Sequence, residues 1–170
     1  SFEYDPAVRF YGMGEKQNGF EKTGAATKFW NTDAWADFSR SEIMEGQADP
    51  LYASIPYLLV RAPGGWLGIL VNNPFAVFMA TGFPESRSGT GAADGERRFF
   101  LGSIDGEPEL FFIVGATARE VTTRLQRLVG TTPLPPAWAL GYHQSRWGYQ
   151  SFADLDGLAQ TVIYTQPARE

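Results

Sequence analysis

The residues best equipped for chemistry in this 170-residue chain lie at its two ends. Near the C-terminal end, Arg146, Trp147 and Tyr149 combine flat aromatic faces with a permanently charged guanidinium. That is equipment for holding a sugar ring or another polar, flat ligand. Near the N-terminal end, the segment from Thr27 to Pro50 carries Asn31, Asp33, Asp37, Arg40, Glu42, Glu45 and Asp49, with Trp30 and Trp35 among them. A stretch that long without an evident strand is functional or disordered, and two tryptophans argue against disorder. The tryptophans serve either as a sugar platform or as anchors of the segment to the core. Asp33 with Asp37 suggests a carboxylate pair or a calcium site, but on a polar loop that pattern reads as solvated surface.

Other chemistries fall away. His143 is the only histidine and there is no cysteine, which excludes a multi-histidine zinc site, thiolate ligands and a cysteine nucleophile within this chain. No nucleophile motif accompanies His143, so it is expected to be a hydrogen-bonded structural residue and not a general base. Gly12-Met13-Gly14 suggests a dinucleotide loop, but Gln17 holds the third glycine position and no helical pattern follows. The two glycines are expected to permit a tight backbone path. Neighbouring Glu15 is expected to be structural, orienting the Thr27–Pro50 segment. Lys and Arg number 14 against 19 Asp and Glu, a net charge of −5, which argues against a nucleic-acid partner. No apolar run reaches the roughly 20 residues that span a bilayer. The chain opens on Ser1-Phe2-Glu3 with no basic-then-apolar start, so its natural N-terminus is expected to lie elsewhere. No cofactor and no metal are expected.

The elements that must position these groups are mainly β. Ile55–Arg61 and Trp66–Asn72 read as a hairpin about Ala62-Pro63-Gly64-Gly65, and Phe75–Met79, Arg97–Leu101 and Glu109–Val114 continue the series. Pro84–Glu96, without a large apolar residue, is expected to be a surface loop. Thr117-Ala118-Arg119-Glu120 is a capping box, and Val121, Leu125, Leu128 and Val129 follow on one helical face up to Gly130. Pro133, Pro135 and Pro136 stiffen a tether. Trp138–Tyr142 reads as a strand entering a new core, and Ser151-Phe152-Ala153-Asp154 as the start of a second helix.

Four segments in this order resemble glycoside hydrolase family 31, the α-glucosidase and α-xylosidase family. They are Phe10-Tyr11-Gly12-Met13-Gly14-Glu15, Phe29-Trp30-Asn31-Thr32-Asp33, Asp49-Pro50-Leu51-Tyr52-Ala53-Ser54-Ile55-Pro56-Tyr57, and Gly130 through Tyr149. The resemblance implies a mainly β fold, a galactose-mutarotase-like antiparallel β-sandwich followed by the first βα segment of a (β/α)8 barrel. The expected boundaries are 1–130 for a partial sandwich ending in a helix near 117–130, 131–137 for the linker, and 138–170 for the truncated start of the catalytic barrel.

It further implies a retaining hydrolase of terminal α-linked glucosyl or xylosyl residues, whose aspartate pair lies beyond residue 170. This stretch is therefore expected to be inactive alone, with an α-linked oligosaccharide or glycoside and the rest of the barrel as its partners. By the same resemblance Asp33 hydrogen-bonds sugar hydroxyls near the cleavage point, and Trp147 stacks on the substrate at the C-terminal end of the first barrel strand. Arg146 and Tyr149 hold the strand end. Fewer strands precede Phe10 than the family's sandwich has. The run Thr161 to Glu170 departs from the family's isoleucine-proline turn, so a truncated or frame-shifted end is expected there. The alternative to the enzyme is a non-catalytic sandwich binding carbohydrate or a protein partner. A mutarotase-like epimerase is set aside because residues 1–130 hold no histidine.

Overall fold

The structure, a computed structural model, describes residues 1–17, 19–82, 97–145 and 148–165, with only the backbone described for 162–165. It divides into two compact units, Ser1–Thr131 and Thr132–Glu170.

The described residues of the first unit form eight strands in two four-stranded sheets, antiparallel throughout. In chain order these are β1 (Phe2–Glu3), β2 (Arg9–Gly12), β3 (Ala26–Phe29), β4 (Tyr57–Ala62), β5 (Gly65–Asn72), β6 (Val77–Ala80), β7 (Arg98–Ser103) and β8 (Glu109–Gly115). One sheet has the order β1-β7-β6-β3 and the other β2-β4-β5-β8. Period-two alternation turns Phe10, Leu58, Val60, Ile69 and Val71 of the second sheet toward Phe29, Val77, Met79 and Phe99 of the first, and these side chains form the core. The fold is the expected mainly β, antiparallel sandwich. The expected hairpin is β4–β5: Ala62 pairs with Gly65, leaving Pro63 and Gly64 as the two-residue turn.

Three local expectations change. The Thr27–Pro50 segment begins inside a strand, because Ala26–Phe29 pairs with β6 from Ala26↔Ala80 to Phe29↔Val77. Thr27 and Phe29 face the core while Ala26 and Lys28 face outward, a period-two pattern too short to read without its partner. Two short helices follow in the same segment, α1 (Ala34–Asp37) and α2 (Arg40–Met44). Ser39 and Glu42 close a capping box on α2, the same three-residue spacing as Thr117 and Glu120.

Helix α3 (Ala118–Val129) starts where the Thr117 hydroxyl accepts from the Glu120 amide, 3.2 Å. The Glu120 carboxylate reaches one residue past the cap, accepting from the Ala116 amide at 2.9 Å, and pairs with Arg124. Val121 is fully buried over Gly68 and Gly115. Leu128 and Val129, on the same apolar face in the sequence reading, are exposed.

In the second unit the expected strand Trp138–Tyr142 is instead a single 3-10 turn, Ala137–Leu140. No strand lies among the described residues of this unit to pair with it. Its amides bond locally, Ala139 to the Pro136 carbonyl at 2.9 Å and Gly141 to the Trp138 carbonyl at 3.2 Å. Helix α4 (Phe152–Thr165) begins where expected: Ser151 accepts from the Asp154 amide, 3.2 Å, and Asp154 accepts from the Ser151 amide, 2.9 Å. Among the described residues no helix is long and apolar enough to cross a membrane. The Pro84–Glu96 loop, Arg146 and Trp147, and residues 166–170 lie outside the described residues.

Candidate functional site

Asp33 stands at the head of α1 and is exposed. Three groups of contacts fix the loop that carries it. The Asn31 side-chain amide donates to the Tyr52 carbonyl at 2.6 Å, and the Thr32 amide donates to the Leu51 carbonyl at 3.1 Å. The Thr32 hydroxyl donates to Asp37, so that carboxylate is spent on its own loop and is not paired with Asp33. The Tyr52 hydroxyl donates to Asp33 Oδ1 at 3.0 Å and accepts from the Trp35 amide at 3.3 Å. Partial desolvation raises the pKa of the Tyr52 phenol. The Trp35 amide opposes that shift, while the hydrogen bond to Asp33 and its charge add to it.

The partner segment 49–52 is itself pinned. Asp49 takes an ion pair from Lys16, a hydrogen bond from the Thr27 hydroxyl at 2.8 Å and another from the Lys28 amide at 3.1 Å. The Lys16 ammonium also donates to the Lys28 carbonyl, 2.6 Å, and lies 5.2 Å from the centre of the Phe29 ring. Its side chain is only 4% exposed, so this charge has left water and depends on these partners. Lys16 is delivered by the bend at Gly12-Met13-Gly14, where all three residues have positive φ (90°, 63° and 60°). A Cβ on Gly12 would meet the Tyr57 carbonyl at 2.8 Å, and one on Gly14 the Ile55 side chain at 2.8 Å. The two glycines therefore do permit the tight path expected of them. Glu15, expected to orient the segment, is exposed and makes no hydrogen bond among the described residues, and Lys16 beside it performs that task.

Three aromatic side chains of the Asp33 loop and its partner segment are exposed: Trp30, Trp35 and Tyr52, at 46%, 60% and 52%. Both tryptophans thus stand out from the sandwich core. An acceptor flanked by exposed ring faces suits a ligand with vicinal hydroxyls and C–H faces, the chemistry of a sugar. Among the described residues no three His, Cys, Asp or Glu side chains are grouped to hold a metal ion.

Comparison with known proteins now decides the family. The profile of the glycosyl hydrolase 31 N-terminal galactose mutarotase-like domain matches residues 1–79, and that of the glycosyl hydrolases family 31 TIM-barrel domain matches 132–164. The chain belongs to glycoside hydrolase family 31.

Alpha-glucosidase 2 of Bacillus thermoamyloliquefaciens is 34% identical over 159 residues, 94% of this chain and 18% of that protein. The human neutral alpha-glucosidase C is 30% identical over 118 residues, 64% of this chain and 13% of its own length. Among solved structures, a family 31 dextranase of Flavobacterium johnsoniae, complexed as a mutant with isomaltotriose, superposes with a TM-score of 0.71 at 23% identity. It matches 95% of this chain and 18% of its own, and at that identity speaks for the fold alone. A family 31 alpha-glucosidase from Bacteroides thetaiotaomicron gives a TM-score of 0.66 at 26% identity over 95% of this chain and 24% of its own. The chain thus spans about a fifth of the length of the family 31 proteins it matches.

Within the second unit of this family 31 chain, His143 is exposed and its Nε2 lies 2.6 Å from the Ala139 carbonyl, a local hydrogen bond. Tyr149 lines a cleft of about 370 Å³ with Gln144, Asp154 and Leu158. Sequence reading reached Asp33 through its motif and missed the two residues that hold its loop, Tyr52 and Lys16. Tyr52 lies 19 residues from Asp33, and Lys16 lies 33 from Asp49. The available signal was charge: a lysine directly after one quoted motif and an aspartate opening another.

Proposed function

We propose that this chain is the N-terminal part of a retaining α-glycosidase that releases terminal α-linked glucosyl or xylosyl residues. Residues 1–130 form the sandwich, 131–137 the linker and 138–170 the start of the (β/α)8 barrel. The reading rests on the 34% identity to an α-glucosidase across 94% of the chain. In such an enzyme one carboxylate attacks the anomeric carbon while a second protonates the departing oxygen, and water then releases the sugar with its configuration kept. Both carboxylates are assigned beyond residue 170, so this stretch contributes scaffold and one wall of the pocket. Asp33 accepts from sugar hydroxyls, and Trp147, which lies outside the described residues, keeps the stacking role that the family resemblance gives it. The remainder of the barrel is its partner.

The test is hydrolysis of p-nitrophenyl α-glucoside and α-xyloside by the full-length protein, with the first-formed anomer read by proton NMR. The expected result is the α anomer. A β anomer, or no hydrolysis of either glycoside, overturns the reading. Asp33→Ala is expected to lower kcat/KM about 100-fold, since a hydroxyl-binding carboxylate is lost from the pocket. Full activity in that variant removes Asp33 from the pocket wall.

A further inference from the structure

The residue at the head of a helix ordinarily folds its side-chain oxygen back onto the amides of the first turn. Asp33 holds that position on α1 and makes no such bond. The Tyr52 hydroxyl stands in its place, accepting from the Trp35 amide at 3.3 Å and donating to Asp33 Oδ1 at 3.0 Å. A phenol is donor and acceptor at once, so one group satisfies the helix amide and ties one carboxylate oxygen. Oδ2 receives no hydrogen bond from a described residue. The ring is fixed in turn from its own backbone, through Asn31 on the Tyr52 carbonyl and Thr32 on that of Leu51.

We infer that Tyr52 is a positioning residue for Asp33: it occupies the Trp35 amide, keeps the carboxylate from collapsing into its own helix cap, and leaves Oδ2 turned to a sugar hydroxyl. The inference rests on the sugar-contact role proposed for Asp33. Without the phenol, the carboxylate has a vacant amide within reach of an ordinary cap rotamer, and the loop keeps its other bonds. The loss therefore falls on ligand contact and leaves folding largely untouched.

The experiment is a four-protein cycle in the full-length enzyme: wild type, Tyr52→Phe, Asp33→Ala and the double variant, assayed on p-nitrophenyl α-glucoside, with Tm measured for each. Tyr52→Phe is expected to lower kcat/KM about tenfold when Asp33 is present and less than about twofold when it is absent, with Tm unchanged. Equal losses in both backgrounds, or none in either, overturn the inference while leaving the glycosidase reading intact. A wild type inactive on both p-nitrophenyl α-glucoside and p-nitrophenyl α-xyloside overturns that reading instead. The Tyr52–Asp33 contact is then read by titrating ¹³Cζ-tyrosine, with Tyr52→Phe assigning the resonance. Asp33→Asn is expected to lower the Tyr52 titration point, and an unmoved titration overturns the contact.

Discussion

Replacing Asp49 by Asn should destabilise the first unit far more than replacing Lys16 by Met, although the two changes break the same ion pair. The asymmetry comes from burial. Lys16 has a side chain 4% exposed, whereas Asp49 keeps 32% of its side chain in water. Breaking a buried pair by removing one partner costs about 3–5 kcal/mol, because the remaining charge is stranded. In Asp49→Asn the stranded group is the ammonium, left with the Lys28 carbonyl and the Phe29 ring. Asp49's own partial exposure puts the expected cost at the low end, about 3 kcal/mol. In Lys16→Met the stranded group is the carboxylate, which keeps the Thr27 hydroxyl, the Lys28 amide and solvent, for a cost of about 1 kcal/mol. Urea unfolding followed by tryptophan emission measures both. With an m-value of about 2 kcal/mol per molar, the midpoints fall by about 1.5 M and 0.5 M. The double variant removes both charges and should sit near Lys16→Met, above Asp49→Asn alone. If Lys16→Met costs as much as Asp49→Asn, or if the double variant is the least stable of the three, the ammonium is not the stranded group and the argument fails.

Two further variants probe the other sheet, where Tyr57 lies on β4 and Gly68 on β5. The Tyr57 hydroxyl is buried without a hydrogen-bond partner among the described residues, so Tyr57→Phe should raise stability by about 1 kcal/mol in the same urea assay. Burial also raises the Tyr57 pKa. Above about pH 10 the unfolded chain therefore loses the proton first, and wild-type stability falls with pH. Tyr57→Phe lacks that loss, so its lead should widen as pH rises through 10, and a constant or shrinking lead would contradict the assignment. Gly68→Ala would set a Cβ 2.5 Å from the Tyr57 hydroxyl and 2.9 Å from Val121 Cγ1. It should cost about 2 kcal/mol, and Tyr57→Phe should restore only part of it, because the ring edge at 3.0 Å and Val121 remain. A neutral Gly68→Ala would show that α3 is free to lift off the sheet.

The sandwich was legible where its information is local. Pro63-Gly64 between two alternating runs specifies the β4–β5 hairpin, and Thr117 with Glu120 specifies the start of α3. Legibility failed where a partner distant in sequence decides the structure. Ala26–Phe29 offers two inward residues separated by Lys28, and only the ladder to β6 makes it a strand. Trp138–Tyr142 has the composition of a strand, but the described residues of its unit hold no strand to pair with it, and its amides close a 3-10 turn. The Ser39–Glu42 box was readable by the rule that found α3, yet five residues of α2 gave too little periodicity to prompt it. Asp33 came from a motif. What holds it did not, because the Tyr52 and Lys16 contacts span loops that sequence spacing does not order.

Those two contacts divide the work of holding one exposed carboxylate. A four-residue helix such as α1 is far below the length at which a helix sustains itself in water, so α1 cannot be the rigid base for Asp33. Rigidity has to be imported from the sandwich. Asp49 imports it, tying the 49–52 segment to β3 through Thr27, Lys28 and a buried ammonium that has nowhere else to go. Tyr52 then passes it on through a phenol on the other side of the loop. A defect at Asp49 should therefore appear first as lost stability, because it strands a charge in the core. A defect at Tyr52 should appear as lost affinity in a protein that melts normally, because it frees one carboxylate rotamer on the surface. On the proposed sugar-contact role of Asp33, the group offered to the ligand would carry almost none of the folding energy, which rests instead on Asp49 and the buried Lys16.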